Sequence, residues 1–200
     1  MSARSKKMKR KEKKGVSSGE IIVGLVILVI AVWGVYSVLQ PASPTTTTTS
    51  SSGAPDFTLP VVGLNGLTGQ TVSLSSFRGK VVLLEFMVPW CPHCQDMAPV
   101  LKTLYEQYGS QNVVFLSVAG AWASQPGGPP ASAGDTAEFM RTYGASWTFV
   151  YDSSNAVFNE YGVNSTPTFF IIGKNGMVAN TYTGEVAENT LAADLTRLNT

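Results

Sequence analysis

The sequence predicts an α/β domain, a mixed central sheet flanked by helices, preceded by one transmembrane helix. Three observations predict it. Nineteen consecutive uncharged residues run from Ile21 to Leu39. Two short, almost wholly apolar segments, Lys80 to Val88 and Asn112 to Val118, bracket a stretch with helical signals. Two further strand-like runs flank Asn175-Gly176. Short apolar runs read as strands buried on both faces, and two of them joined by a helix make a right-handed parallel βαβ unit. Asn-Gly between strands signals a tight hairpin, hence an antiparallel pair.

Charge divides the 200 residues. Residues 1–20 carry eight Lys/Arg against two Glu, a net +6, and the rest carry six basic and eleven acidic residues, a net −5. The basic cluster Arg4 to Lys14 stands directly before the apolar run, which as a helix would measure roughly 28 Å, about the hydrocarbon thickness of a bilayer. The positive-inside tendency puts the 1–20 tail in the cytoplasm and everything after Gln40 outside, with Trp33 and Tyr36 near an interface. An uncleaved signal-anchor over residues 21–39 in the cell membrane is the main reading. Two processing alternatives stay open. One is a cleaved secretory signal, for which Gln40-Pro41-Ala42-Ser43-Pro44 is a poor site. The other is trimming after Gly15, since Lys13-Lys14-Gly15 with Glu20 resembles a prepilin-type signal. Residues 40–55, rich in Pro, Thr and Ser, read as a linker with a reach of roughly 20 to 25 Å if flexible. Residues 56–200 then form one domain large enough for its own core.

The elements of that domain follow in order. Pro92 suits the first turn of a helix that runs to about Tyr108, where Gly109 stops it. Residues 119–134, rich in Gly, Pro, Ala and Ser, read as loop, with Trp122 as the one aromatic. Asp135 with Glu138 three residues on reads as the N-cap of a helix to about Tyr143. Trp147 to Tyr151 reads as a strand and Asn155 to Tyr161 as a short helix. Thr168 to Ile172 and Met177 to Tyr182 are the hairpin strands, and Leu191, Leu195 and Leu198 mark an amphipathic helix over Val186 to Leu198.

Composition excludes some chemistry. One His and two Cys cannot supply a four-ligand zinc site within the chain. A nucleic-acid partner is disfavoured, because the basic residues sit in a short tail and the domain is acidic.

Both cysteines fall in Trp90-Cys91-Pro92-His93-Cys94, between a buried strand and a helix. The amides and dipole at a helix N-terminus favour the Cys91 thiolate. Cys94, one turn further in, can close a disulfide with Cys91 but is shielded from attack. Cys91 would therefore attack a partner's disulfide and Cys94 would resolve the mixed disulfide. A c-type haem needs His after the second Cys, where this chain has Gln95. A purely structural Cys-x-x-Cys disulfide closes too short a loop to constrain the unfolded chain much. The redox-active Cys91–Cys94 pair needs no separable cofactor. A different class, delivery of copper(I) by the two thiolates, stays open as an alternative.

Several separated motifs carry a resemblance: Ala54 to Pro60, Val72 to Lys80, the strand into Trp90-Cys91, Pro99 five residues after Cys94, and Thr166-Pro167-Thr168. Over essentially all of residues 56–200 they resemble the thioredoxin superfamily, and within it the membrane-anchored TlpA/ResA-like thiol-disulfide oxidoreductases. The resemblance implies a thioredoxin fold with an N-terminal β extension. It implies a cis Pro167 against the disulfide, with the Thr166 backbone free to pair with an extended substrate segment. Glu85, six residues before Cys91, matches a buried acid whose raised pKa suits it to take the Cys94 proton through water. His93 would donate a hydrogen bond or charge to the Cys91 thiolate, stabilising the reduced form. Trp90 and Pro92 complete the residues expected to meet substrate.

Pro92-His93 and Leu84-Glu85-Phe86 resemble DsbA-like oxidants instead. The main expectation is an oxidant or isomerase acting on protein thiols and disulfides outside the cytoplasm, with a redox partner in the same membrane. The alternative is a TlpA/ResA-like reductase, as in cytochrome c maturation. A peroxiredoxin would carry Thr three residues before its reactive Cys, where this chain has Val88, so peroxidase activity is not expected.

Overall fold

The computed structural model describes residues 53–200. The tail at 1–20, the expected membrane span at 21–39 and all of the 40–55 linker but its last three residues lie outside the described residues. No helix among the described residues is long and apolar enough to cross a membrane.

In chain order the elements are β1 (Thr58–Gly63), β2 (Gly66–Ser73), a 3-10 turn (Leu74–Phe77), β3 (Val81–Met87), α1 (Pro92–Tyr108), β4 (Val113–Gly120), α2 (Ala133–Tyr143), β5 (Thr148–Asp152), α3 (Ala156–Glu160), β6 (Thr168–Ile172), β7 (Val178–Thr183) and α4 (Glu188–Asn199). The strands form one sheet in the order β2-β1-β5-β4-β3-β6-β7. The βαβ unit is present: β3 and β4 pair in parallel from Val81–Val113 to Met87–Ala119, with α1 between them in sequence. β5 extends the parallel set, and β6 and β1 close it antiparallel on either side. The β1–β2 hairpin is the N-terminal β extension.

All seven residues of β3 are buried, because the sheet is covered on both faces. Alternation along the strand sends Val81, Leu83, Glu85 and Met87 to one face and Val82, Leu84 and Phe86 to the other. The first face packs on Leu101 and Leu104 of α1 and on Leu191 and Leu195 of α4. The second packs on Phe158 of α3 and on Phe57 and Leu74 beside the N-terminal hairpin. Glu85 is therefore the one charged side chain of β3, and it lies on the α1 face.

Three boundaries differ from expectation. β4 runs on to Gly120, where the composition reads as loop, because Ala119 and Gly120 pair with Tyr151 and Asp152. Only Gly fits at 120, since a Cβ there would stand 2.6 Å from the Phe158 ring. The cap of α2 is Ser132 rather than Asp135. The Asp135 N–H donates to Ser132 Oγ at 3.2 Å and the Ser132 N–H donates to Asp135 Oδ2 at 2.7 Å, so Asp135 is the third residue of a capping box, not its first. The fold also begins before Asp56: Ala54 is buried and its N–H donates to the Gly176 carbonyl at 2.9 Å.

A buried carboxylate at the end of β5 organises the turn that follows. Asp152 is 1% exposed and accepts the N–H groups of Ala156, Val157 and Phe158 at 3.1, 2.8 and 3.1 Å. α3 has five residues, far too few to be stable unaided. Asp152→Ala is expected to cost about 3 kcal/mol, the scale of hydrogen bonds to a buried charge. Urea unfolding measures it, and an unchanged midpoint would show that α3 does not depend on this cap.

Candidate active site

The dithiol sits where β3 hands over to α1. Cys91 takes the N-cap position with extended backbone, φ −72° and ψ 119°, and Pro92 fills the first turn, where its missing N–H has no helical bond to lose. The Cys91 carbonyl accepts from the N–H groups of Cys94 and Gln95, both at 3.1 Å, which starts the helix. Cys94 is fully buried and Cys91 is 6% exposed. Both thiols are free, so this is the dithiol form.

Three loops meet at Cys91. Its thiol donates to the Thr166 carbonyl at 3.3 Å, and the Thr166–Pro167 bond is cis. Thr166 is half-buried and Pro167 buried. The Thr166 carbonyl, expected to be free for an extended substrate, is thus occupied while Cys91 carries its proton. Trp90 stands 37% exposed at the rim, its indole N–H donating to the Trp122 carbonyl at 2.9 Å. The same carbonyl accepts from Ala131, and the Trp122 ring packs edge-on against Phe158 with centroids 5.1 Å apart. Trp122 therefore ties the Gly/Pro-rich insertion to the core, and its backbone holds Trp90 in place.

His93 is placed differently from expectation. Its Nδ1 lies 2.5 Å from Glu185 Oε1, with both side chains exposed. Among the described residues the hydrogen-bond partner of this ring is Glu185, not Cys91. The reason is tertiary: the segment between β7 and α4 brings a carboxylate 92 residues away in sequence to the rim. Pro92 is exposed beside it.

Beneath the thiols lies Glu85, 1% exposed. Burial pushes its pKa up from 4.5 to about 7, and the Ser117 hydroxyl opposes that shift. Ser117 Oγ donates to Glu85 Oε2 at 2.5 Å, and Trp147 Nε1 donates to Ser117 Oγ at 2.8 Å. Glu85 Oε1 has no hydrogen-bond partner among the described residues. The Cys94 thiol is driven far above the ordinary thiol range, first by burial and then by the nearby Glu85 carboxylate. A thiol so placed attacks only after a base removes its proton, and a carboxyl titrating near neutrality is suited to that task.

The structure brings the sequence candidates Cys91, Cys94, Glu85, Trp90, Thr166 and Pro167 together, leaves Pro92 and His93 exposed at the rim, and adds Ser117, Trp147 and Glu185, which the sequence did not single out. A signal for Ser117 existed: it is the one polar residue among the apolar residues of Val113 to Ala119, directly across the ladder from Glu85. No local pattern marks Glu185.

Residues 49–195 match the Redoxin family. The chain belongs to the Redoxin family. Among its Redoxin relatives, the thiol-disulfide oxidoreductase ResA of Geobacillus kaustophilus is 34% identical over 144 residues, 72% of this chain and 75% of the relative. ResA of Geobacillus thermodenitrificans is 33% identical over 144 residues, with the same coverage. A solved structure, a putative thiol:disulfide interchange protein DsbE from Chlorobium tepidum, superposes with a TM-score of 0.62 at 26% identity, covering 75% of this chain and 97% of that one. This Redoxin chain is accordingly a thiol-disulfide oxidoreductase of the ResA/DsbE type with a thioredoxin-like fold.

Proposed function

We propose that the protein is a membrane-anchored, extracytoplasmic thiol-disulfide reductase in which Cys91 attacks, Cys94 resolves and no separable cofactor takes part. This reverses the direction expected from Pro92-His93. The observation that carries the reversal is the His93–Glu185 contact at 2.5 Å. A thioredoxin-fold protein becomes a strong oxidant when its reduced form is stabilised. Here the Nδ1 that could serve the Cys91 thiolate is bound to a carboxylate, whose negative charge offsets at Cys91 the field of any positive charge on the ring. Burial, and after it Glu85, disfavours a thiolate at Cys94 as well. The similarity to ResA proteins points the same way.

In the forward direction the Cys91 thiolate attacks one sulfur of a partner's disulfide and the partner's other sulfur departs as thiolate. Loss of the Cys91 proton releases the Thr166 carbonyl, which can then accept a backbone N–H of the bound segment. A cleft of about 410 Å³ beside Trp90, bounded by Gln95, Phe139 and Tyr143, gives room for flanking side chains. The apolar run at 21–39 and the basic tail before it support anchoring, which would hold the domain near a membrane partner able to return electrons.

Equilibration with glutathione tests the direction. The potential is expected nearer −270 mV than −120 mV, roughly the thioredoxin and DsbA ends of the scale. A value at the oxidising end would overturn the proposal. Glu185→Gln, which frees His93 to serve Cys91, is expected to raise the potential by about 30 mV, a tenfold change in the exchange constant.

A further inference from the structure

We propose that Trp147 and Ser117 are positioning residues, forming a one-way hydrogen-bond chain that occupies Glu85 Oε2 and reserves Oε1 as the atom that takes the Cys94 proton. The proposal deepens the reading of Cys94 as the resolving thiol and rests on it.

The direction of the chain is fixed by chemistry. An indole N–H only donates, so at 2.8 Å Ser117 Oγ accepts from Trp147. The single hydroxyl proton of Ser117 is then directed to its other partner, Glu85 Oε2, at 2.5 Å, a length typical of a bond to an ionised oxygen. With Oε2 accepting, a proton arriving on Glu85 goes to Oε1, the oxygen without a partner among the described residues. Strand geometry supports the arrangement. Glu85 and Ser117 are directly paired on adjacent parallel strands, and both side chains lie on the α1 face with Cys94. Glu85 and Ser117 are each 1% exposed and Trp147 is 5% exposed, so water does not compete for the Oε2 end.

The surroundings leave few other groups to set the behaviour of Glu85. α1 brings Cys91 and Cys94, β4 brings Ser117, and β6 pairs with Glu85 through Phe169. The other buried carboxylates are engaged elsewhere: Asp152 caps α3, and Asp194 of α4 accepts from Asn180, Tyr182 and Arg197. No Lys or Arg is buried among the described residues.

In the step itself, the proton of Cys94 Sγ passes to Glu85 Oε1 and the Cys94 sulfur bonds to Cys91 Sγ. The electron pair of the broken Cys91–partner S–S bond leaves with the partner's thiolate, which takes a proton from solvent. Oxidation of the two cysteines balances reduction of the partner's disulfide. Holding Oε2 on Ser117 lowers the cost of the charged base before the transfer and aims its free oxygen.

The test is a single turnover of the reduced full-length protein with the chromogenic disulfide of thionitrobenzoate. The first release reports attack by Cys91 and the second reports resolution by Cys94. Ser117→Ala is expected to move the pH midpoint of the second release upward by about one unit, the effect of removing one hydrogen bond to a buried carboxylate, and to leave the first release unchanged. Trp147→Phe should shift it in the same direction by less, and Ser117→Thr, which restores the hydroxyl, should return it. A folded Ser117→Ala protein with an unmoved midpoint overturns the proposal, and so does an unmoved midpoint in Trp147→Phe if Ser117→Ala fails to fold. Failure of the underlying reading looks different: a second release that persists in Cys94→Ser.

Discussion

Cys91→Ser is expected to reduce disulfide exchange to the uncatalysed background, whereas Cys94→Ser is expected to stop it one step later, as a lasting mixed disulfide with the partner. The asymmetry follows from where the two sulfurs sit. Cys91 is at the N-cap of α1, its thiol donating to the Thr166 carbonyl, a contact that an incoming strand can replace. Cys94 is fully buried, and burial together with Glu85 keeps it protonated until an electrophile lies within the protein itself, on Cys91. A serine at position 91 offers an oxygen that cannot form the mixed disulfide, so no later group can compensate. Mass measurement of covalent adducts after exposure to a disulfide-bonded protein separates the outcomes. An adduct on Cys91→Ser would mean that Cys94 can attack on its own, and the assigned order would be wrong.

Much of this site was legible because its signals are local. Lys80 to Val88 is apolar enough to declare a central strand, Pro92 marks the helix start, and the two cysteines straddle that junction. The Asn175-Gly176 hairpin was legible for the same reason, and Gly176 takes the φ of +77° that its turn needs. The acid beneath the thiols was reached through resemblance, and alternation along β3 agrees with it, sending Glu85 to the α1 face. What the sequence hid depends on contacts between distant segments. Glu185 reaches His93 across 92 residues, and the proposed reductase direction rests on that contact. Ser117 is legible only once β3 and β4 are known to pair in register, because its role is to stand opposite Glu85. The α2 cap was misplaced by one turn for a smaller reason: Ser132 and Asp135 satisfy the capping rule as well as Asp135 and Glu138, and backbone geometry decides between them.

Glu85→Gln is expected to make the protein more pH-independent in stability while slowing the resolving step about a hundredfold, the scale of a lost general base. The stability effect comes from a carboxyl whose folded-state pKa is raised from 4.5 to about 7 by burial. Between those values the native protein holds a proton on Glu85 that the unfolded chain has released, so stability falls as pH rises through this window. The loss is complete above about pH 7 and absent below about pH 4.5, and 2.5 units correspond to about 3 kcal/mol. Gln does not ionise, so the stability difference between variant and parent should shift by about that amount in the variant's favour from pH 4.5 to pH 8. The absolute offset will be smaller, because the amide N–H₂ would take the place of an oxygen that has no partner among the described residues. Denaturant unfolding of both proteins across this range measures the slope. Parallel curves would show that Glu85 is not the group that titrates, and the base for Cys94 would have to be sought elsewhere. If the curves diverge as expected, the protein keeps a destabilising acid in its core at neutral pH, and the second thionitrobenzoate release shows what that acid does there.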